Sequence, residues 1–470
     1  MNDDDVLGRL QAELGARVDV DPEALEACRT DRAGTLAKGR PIAIVRAETV
    51  EDVQATMRIA TATRTPVVTR GAGSGLAGGA IAGEGEIVLS TACMRKVLEI
   101  SADNQLCVVE PGILNGELNA ILAEHGLWWP PDPASKDISS VGGNIAMNAG
   151  GLLCAKYGVT REAVLALKIV LADGELLEVG HRTVKGVTGL DLCALMIGSE
   201  GTLGVIVEAT LKVRPAITGT VPTIGCYFPT IAAAAGAAAE VTRAGLRPAI
   251  MELLDDKMLR ATSEFTGVDL ASRGDAYLLV QTDGADALGE AERIAELARA
   301  AGAEVEVTTD PEAAASLVDV RRRGFPALEA MGGAMLVEDI AVPRDRMVEM
   351  FEIIDDISRR YEVFIPTPAH AGDGNLHPTF VFEGSADDVP ERIWDAAAEM
   401  FTAALRLGGT LSGEHGIGVL KRRWLGDELG ERQYVIQREI KRVFDPLGIL
   451  NPGKVFADGP DPEPESAPLP

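Results

Sequence analysis

Aromatic residues are scarce in this 470-residue chain, at 4% Phe, Trp and Tyr, which gives little reason to expect a large aryl ligand. Cysteine is also sparse: the six present include no C-x-x-C pair and no iron–sulfur run, so neither a zinc ribbon nor a cluster is encoded. They read as buried thiols of a protein in a reducing compartment. Positive charge is short as well. Against 71 Asp and Glu stand 44 Lys and Arg, a formal net charge of −27, which argues against binding nucleic acid or an anionic membrane surface by bulk electrostatics. No apolar stretch approaches the ~20 residues of a membrane span. The opening Met-Asn-Asp-Asp-Asp lacks the positive start of a signal peptide. A cytoplasmic protein is expected, with peripheral attachment to the inner face of the membrane left open.

What is present suffices for two or three domains, since 46% of residues are hydrophobic. Residues 1–36 carry the amphipathic spacing Val6, Leu7, Leu10, Leu14, which predicts a leading helix serving as a peripheral cover. Between Pro41 and Pro215 the texture changes to short strand-like apolar runs such as Glu86 to Leu89 and Leu167 to Leu171, separated by glycine clusters. Helical period is confined there to stretches such as Glu51 to Thr61 and Leu114 to His125. From about Thr218, helical stretches (231–245, 285–302, 311–331, 344–361) alternate with strands (249–254, 276–282, 304–308, 335–342, 379–382), a second α+β domain. Helices at 395–407 and 431–444 follow, and the last residues, rich in Pro, Glu, Asp and Ser, read as disordered.

Two kinds of segment carry chemistry. In Arg70-Gly-Ala-Gly-Ser-Gly-Leu-Ala-Gly-Gly79, backbone N–H groups can approach and cradle a pyrophosphate. A nicotinamide fingerprint must open a helix, and here a strand resumes at Ile87 instead; the Gly-Lys-Ser/Thr ending of a nucleoside triphosphate loop is also missing. A flexible loop is the plain alternative. Further glycine-rich backbone at Pro130 to Ser135, Val141 to Gly151 and Gly198 to Gly204 suggests a large phosphate-bearing ligand threaded between sheets. The second kind is His370-Ala-Gly-Asp-Gly-Asn-Leu-His377 and Ser412-Gly-Glu-His415-Gly. Imidazoles of His370 and His377 with the carboxylate of Glu414 would hold a divalent Zn, Mn or Fe with positions open, and His415 is a spare base. The plain alternative is a pair of glycine-rich turns with solvated histidines.

These motifs in this order, with Asn451-Pro-Gly-Lys454, resemble the flavoproteins of the vanillyl-alcohol-oxidase type. Similarity is greatest to the branch containing the flavin subunit of glycolate oxidase, D-lactate dehydrogenase and D-2-hydroxyglutarate dehydrogenase. The resemblance spans about residues 36 to 456. It implies an α+β fold: a helical lead (1–36), a two-subdomain FAD-binding domain (37–217), a ferredoxin-like substrate and metal-binding cap (218–430), a C-terminal segment returning to the FAD domain (431–456) and a disordered tail (457–470).

FAD would contact Arg70, Gly71, Ala72, Gly73, Ser74 and Gly75 through its pyrophosphate, with Pro131, Asp132, Ser135, Gly142, Asn144, Asn148 and the segment holding Glu200, Gly204 and Ile206 lining the rest. Asn451 would lie near the ring. Some relatives attach FAD through a histidine where this chain has Ser74, so noncovalent flavin is expected. The resemblance makes His370, His377 and Glu414 metal ligands, His415 the base that accepts the substrate hydroxyl proton as hydride leaves for the flavin, and Arg321 the cation for the substrate carboxylate; a solvated basic turn is the alternative for the arginine.

Relatives acting on hydroxyglutarate carry a lysine where this chain has Val337, which favours a small monocarboxylate, D-lactate or glycolate, over D-2-hydroxyglutarate. Trp128 and Trp129 read as core or as walls of the ring site. Two further readings stay open: a flavin subunit passing electrons to an iron–sulfur partner, and a metal-only oxygenase or hydrolase in which the glycine loops are structural. The electron acceptor is left open among quinone, cytochrome, electron-transferring flavoprotein and an iron–sulfur subunit.

Overall fold

The computed structural model describes residues 3–457; of the tail expected to be disordered, 457–470, all but Ala457 lies outside the described residues. The chain forms three sheet-based layers. In the first, the four-residue strands Ala43–Arg46, Ile87–Ser90 and Val67–Arg70 run parallel, with Val18–Asp19 antiparallel at the edge. Helix Val50–Thr63 crosses between the outer two of the parallel strands. Its start is fixed by a capping box, Thr49 with Asp52, and its end by Arg64 in the left-handed conformation (φ 54°). The leading helix Asp3–Leu14 is more than the expected cover: Val6, Leu10 and Leu14, spaced four apart on one face, are buried in the same core.

The second layer is a five-stranded antiparallel sheet in the order Val97–Ser101, Leu106–Val109, Val205–Lys212, Val164–Val170, Leu176–Gly180. A helix, Val141–Met147, stands where sequence suggested only glycine loop. One of its two glycines is demanded by packing: a Cβ on Gly142 would lie 2.5 Å from Pro111 Cβ. Trp129 is core at 1% exposure, and the half-buried Trp128 bonds Pro215 and meets Tyr157 edge-on.

The third layer is the expected ferredoxin-like unit, extended. Strands Thr223–Phe228, Ile250–Leu254, Ala276–Gln281 and Glu304–Thr308, in the order fourth, first, third, second, are joined in one seven-stranded antiparallel sheet by Ala369–His370, Asn375–Leu376 and Ile340–Ala341. Helices Ile231–Arg243, Ala287–Ala300, Met347–Arg360 and Glu391–Arg406 bury one core, and Asp256–Thr266, Pro311–Arg322 and Gly324–Met331 another.

Three local expectations need correction. The helix expected over 311–331 breaks at Arg323, because Pro326 has no N–H to continue the ladder and Gly324 packs against Met258. The strand expected over 335–342 is interrupted between Ala334–Val337 and Ile340–Ala341, where Glu338 and Asp339 turn to partners inside the protein. The helix expected over 431–444 is present as the second part of Leu425–Phe444, joined to a short helix before it at Gly430, whose backbone is not helical (φ 67°, ψ 163°). The cysteines are not uniformly buried: Cys93, in a turn after Ile87–Ser90, is exposed and Cys154 half-buried.

After Leu425–Phe444 the chain returns to the first layer. Val67 N–H donates to Ile449 O (2.7 Å) and Asn451 N–H to Val67 O (2.8 Å), with Ile449 and Leu450 buried in its core. Among the described residues no helix is long and apolar enough to cross a membrane.

Candidate active site

The two polar segments of the cap meet. Strand Ala369–His370 and its hairpin partner Asn375–Leu376 carry His370 and His377 inward, and the loop after helix Glu391–Arg406 brings Glu414 and His415. One ligand atom from each of His370, His377 and Glu414 lies within 4.8 Å of the others. Glu414 Oε1 is 3.1 Å from His377 Nε2, 3.5 Å from His370 Nε2 and 4.0 Å from His415 Nε2. The rings of His377 and His415 stack at 5.1 Å. His415 Nδ1 is buried with no hydrogen-bond partner.

These are not solvated turns. Burial disfavours the charged form of His370, but the adjoining Glu252 and Glu414 carboxylates outweigh it and hold its pKa well above the ordinary value. Burial likewise works against ionised Glu414, but hydrogen bonds from His370 and His377 keep its pKa well below the usual range. A carboxylate sunk among imidazoles, with Nε2 atoms converging on it, is a donor set suited to a divalent cation. His415 is different: burial pushes it down to about 4, so its ring is neutral at ordinary pH.

Two carboxylates that sequence reasoning missed hold this cluster. Glu252, on Ile250–Leu254, accepts from His370 Nδ1 (2.6 Å) and from Arg321 Nε (3.0 Å). Asp339 Oδ2 accepts from Ser412 Oγ (2.6 Å) and the backbone N–H groups of Glu414 (3.0 Å) and His415 (2.9 Å), and Oδ1 from Asn375 Nδ2 (2.6 Å). One side chain thereby anchors both segments. Lys421, also buried, donates to the carbonyls of Asp339 and Leu411 and pairs with Glu338 at 3.3 Å. Against the cost of burial, Lys421 and then the histidines keep Asp339 ionised well below its usual range. A signal did exist: each carboxylate interrupts an apolar run, and a charge inside a strand needs a partner. Of the basic run, Arg321 turns inward to Glu252 while Arg322 and Arg323 are exposed.

The glycine-rich segments face this cluster from the first two layers. A Cβ on Gly150 would come within 2.7 Å of Glu414 Oε2, so the loop after Val141–Met147 backs directly onto the Glu414 carboxylate. Asp132, whose carboxylate accepts from Leu153 N–H, is pushed up to about 7 by burial. Glu200 spends its carboxylate on the N–H groups of Ile417 and Gly418 (2.8 Å each), tying the second layer to the segment after His415. Asn451 Nδ2 bridges the carbonyls of Gly79 and Glu200. Arg70 donates to the Ala80 carbonyl (2.8 Å), bracing its own loop.

In that loop Ala72 is exposed, Gly71, Gly73, Ser74 and Gly75 are half-buried, and Gly73 has φ 69°. Pro131 O accepts from Asn115, Ser135 O from the N–H groups of Ile138 and Ser139, and Asn148 Oδ1 from Arg161 N–H. Gly142, Gly204 and Ile206 are buried. Four buried polar atoms around these loops, Thr69 Oγ1, Ser139 Oγ, Asn144 Nδ2 and Asn451 Oδ1, have no protein partner. Each would cost about 1–3 kcal/mol if left unsatisfied, so a polar ligand between the loops fits them.

A family model described as "FAD linked oxidases, C-terminal domain" matches residues 219–455, and one described as "FAD binding domain" matches residues 41–180. The chain belongs to the FAD-linked oxidases. Among curated relatives of this oxidase, Glycolate oxidase subunit GlcD of Bacillus subtilis is 37% identical over 420 residues, 89% of each chain. D-lactate dehydrogenase of Archaeoglobus fulgidus is 36% identical over 449 residues, covering 94% of this chain and 98% of its own. Among solved structures, 4-ethylphenol oxidase from Gulosibacter chungangensis superposes with a TM-score of 0.77 at 19% identity, and p-cresol methylhydroxylase with 0.77 at 17%, each covering 97% of both chains. These two share the fold, of vanillyl-alcohol-oxidase type. The oxidase is thus an FAD-linked oxidoreductase of the GlcD and D-lactate dehydrogenase family.

Proposed function

We propose that this oxidase converts a small 2-hydroxy acid, D-lactate or glycolate, to the 2-oxo acid, with noncovalent FAD, a divalent cation held by His370, His377 and Glu414, and His415 as base. The observation that carries the reading is the three-ligand cluster beside a neutral, unpaired imidazole, set against the flavin loops through Gly150. The names of its relatives, a glycolate oxidase subunit and D-lactate dehydrogenases, support the substrate class.

Bound, FAD supplies a hydride acceptor and the cation a Lewis acid for the substrate's hydroxyl and carboxylate. Oxidising the α-carbon to a carbonyl requires the hydroxyl proton to leave. His415 takes it: its Nδ1 has no protein partner and its ring is neutral, held in place by the Asp339 bond to its backbone N–H. Arg321, steadied at Nε by Glu252, presents the rest of its fork to the substrate carboxylate. Val337 offers no second cation there, which favours a monocarboxylate.

Anaerobic bleaching of the flavin near 450 nm with a panel of D- and L-2-hydroxy acids tests this. Reduction by one D-acid or glycolate is expected; a flavin that none of them reduces would overturn the substrate class.

A second reading, a flavin subunit handing electrons to an iron–sulfur partner, is favoured by one surface feature. In the loop after Leu176–Gly180, Val184, Val187 and Leu190 are 100%, 98% and 89% exposed beside Lys185 and an Arg182 that pairs with Glu99, an apolar surface on an acidic protein. A partner subunit would cover it, and Val187→Asp would then weaken assembly with a coexpressed iron–sulfur protein without altering flavin reduction by substrate.

A further inference from the structure

We infer that Glu252 is a positioning residue serving both ends of the substrate grip at once: one oxygen fixes His370 for the cation, the other fixes Arg321 for the substrate's carboxylate. The inference rests on the cation site proposed above and goes beyond it, since Glu252 is neither ligand nor base.

The geometry is set by the sheet rather than by loops. Glu252 sits mid-strand in Ile250–Leu254, 1% exposed, directly opposite His370 in the antiparallel register. Its Oε1 is 2.6 Å from His370 Nδ1 and its Oε2 3.0 Å from Arg321 Nε, the arginine arriving from the end of helix Pro311–Arg322. A carboxylate only accepts, so the contact to Glu252 keeps a proton on His370 Nδ1, and a cation bound at Nε2 would take the place of the proton that Nε2 otherwise offers to Glu414 Oε1, 3.5 Å away. Arg321 in turn loses only Nε to the contact.

No neutral isostere can do both. A glutamine has one acceptor and one donor end. With its oxygen toward His370, its NH₂ meets the N–H of Arg321; with its NH₂ toward His370, the imidazole proton is driven to Nε2, where a ligand lone pair is required. A buried ion pair of purely structural value would show no such dependence on which partner is removed.

The test uses flavin-loaded wild type, Glu252→Gln, Glu252→Asp and Arg321→Met, stripped with a chelator and titrated with Mn²⁺ or Zn²⁺ by calorimetry. Flavin content reports that the fold is intact. Glu252→Gln should weaken cation binding about 10- to 100-fold at unchanged flavin stoichiometry and raise KM for the acid that bleaches wild type. Glu252→Asp, which keeps the acceptor, should recover part of the cation affinity and gives the reading if the glutamine variant loses its flavin. Arg321→Met should raise KM while cation affinity stays that of wild type. Wild-type cation affinity in Glu252→Gln, or an equal loss in Arg321→Met, would overturn the inference. Wild type taking up no cation would instead remove the cation site itself, and this role with it.

Discussion

The glycine-loop side and the histidine side of this oxidase are built on opposite plans. Around the glycine loops, polar groups stand unpaired: Thr69, Ser139, Asn144 and Asn451 each keep a buried atom without a protein partner. Around the histidine cluster, two buried carboxylates are well paired, Asp339 accepting four hydrogen bonds and Glu252 two. The contrast matches what each side would hold under the proposed function, FAD at the glycine loops and a cation at the histidines. A large cofactor brings many polar atoms of its own, so the protein leaves matching ones vacant and uses glycine to let backbone approach. A single ion is held by a few side chains whose placing must be fixed beforehand by others, or the site is too loose to act.

The sharpest way to separate the two sides is at His415. His415→Ala should keep its flavin yet reduce it with substrate about 10²- to 10⁴-fold more slowly, measured by anaerobic absorbance; an unchanged rate would remove it from the role of base. His370→Ala and Glu414→Ala should lose bound metal and activity together, with flavin content retained.

Asp339→Asn tests whether the histidine side is also a stability element. It leaves Lys421 with Glu338 as its one carboxylate partner and turns an acceptor of the anchor into a donor, and should cost about 1–3 kcal/mol, read as a lower denaturant midpoint. A midpoint equal to wild type would mean the segments hold their shape unaided.

Gly150→Ala blurs the comparison deliberately. Its Cβ would stand 2.7 Å from Glu414 Oε2, so a change on the glycine-loop side should weaken cation binding several-fold, by about 1 kcal/mol or more for a crowded contact. Calorimetric titration of the cation would show it. The smallest effect expected is in the spectrum of released cofactor: with Ser74 in the first loop, acid precipitation should free all the FAD into the supernatant, and yellow colour left in the pellet would indicate a covalent bond.

Much of this was legible in the residues. The leading helix, the alternation of strands and helices after 218, and the two polar histidine segments could all be read from period and motif, because local spacing reports which face a residue presents. Whole-family texture placed the flavin loops in order. Less legible were Val141–Met147, hidden by a glycine pair of which Gly142 packs closely on Pro111, and the break at Asp339, where a strand pattern gives way to a buried anchor.

By itself, then, the sequence determined the layered α+β architecture and the identity of the ligand and base candidates, since both depend on patterns within short windows. Tertiary structure alone decided how those residues are held. It set Glu252 opposite His370 across a strand pair, brought Arg321 to the same carboxylate, joined Asp339 to the segments at 375 and 412–415, and turned Asn451 back to Gly79. Each of these contacts spans tens to hundreds of residues of chain, so only folding brings the partners together, and burial in a common core makes the pairing obligatory.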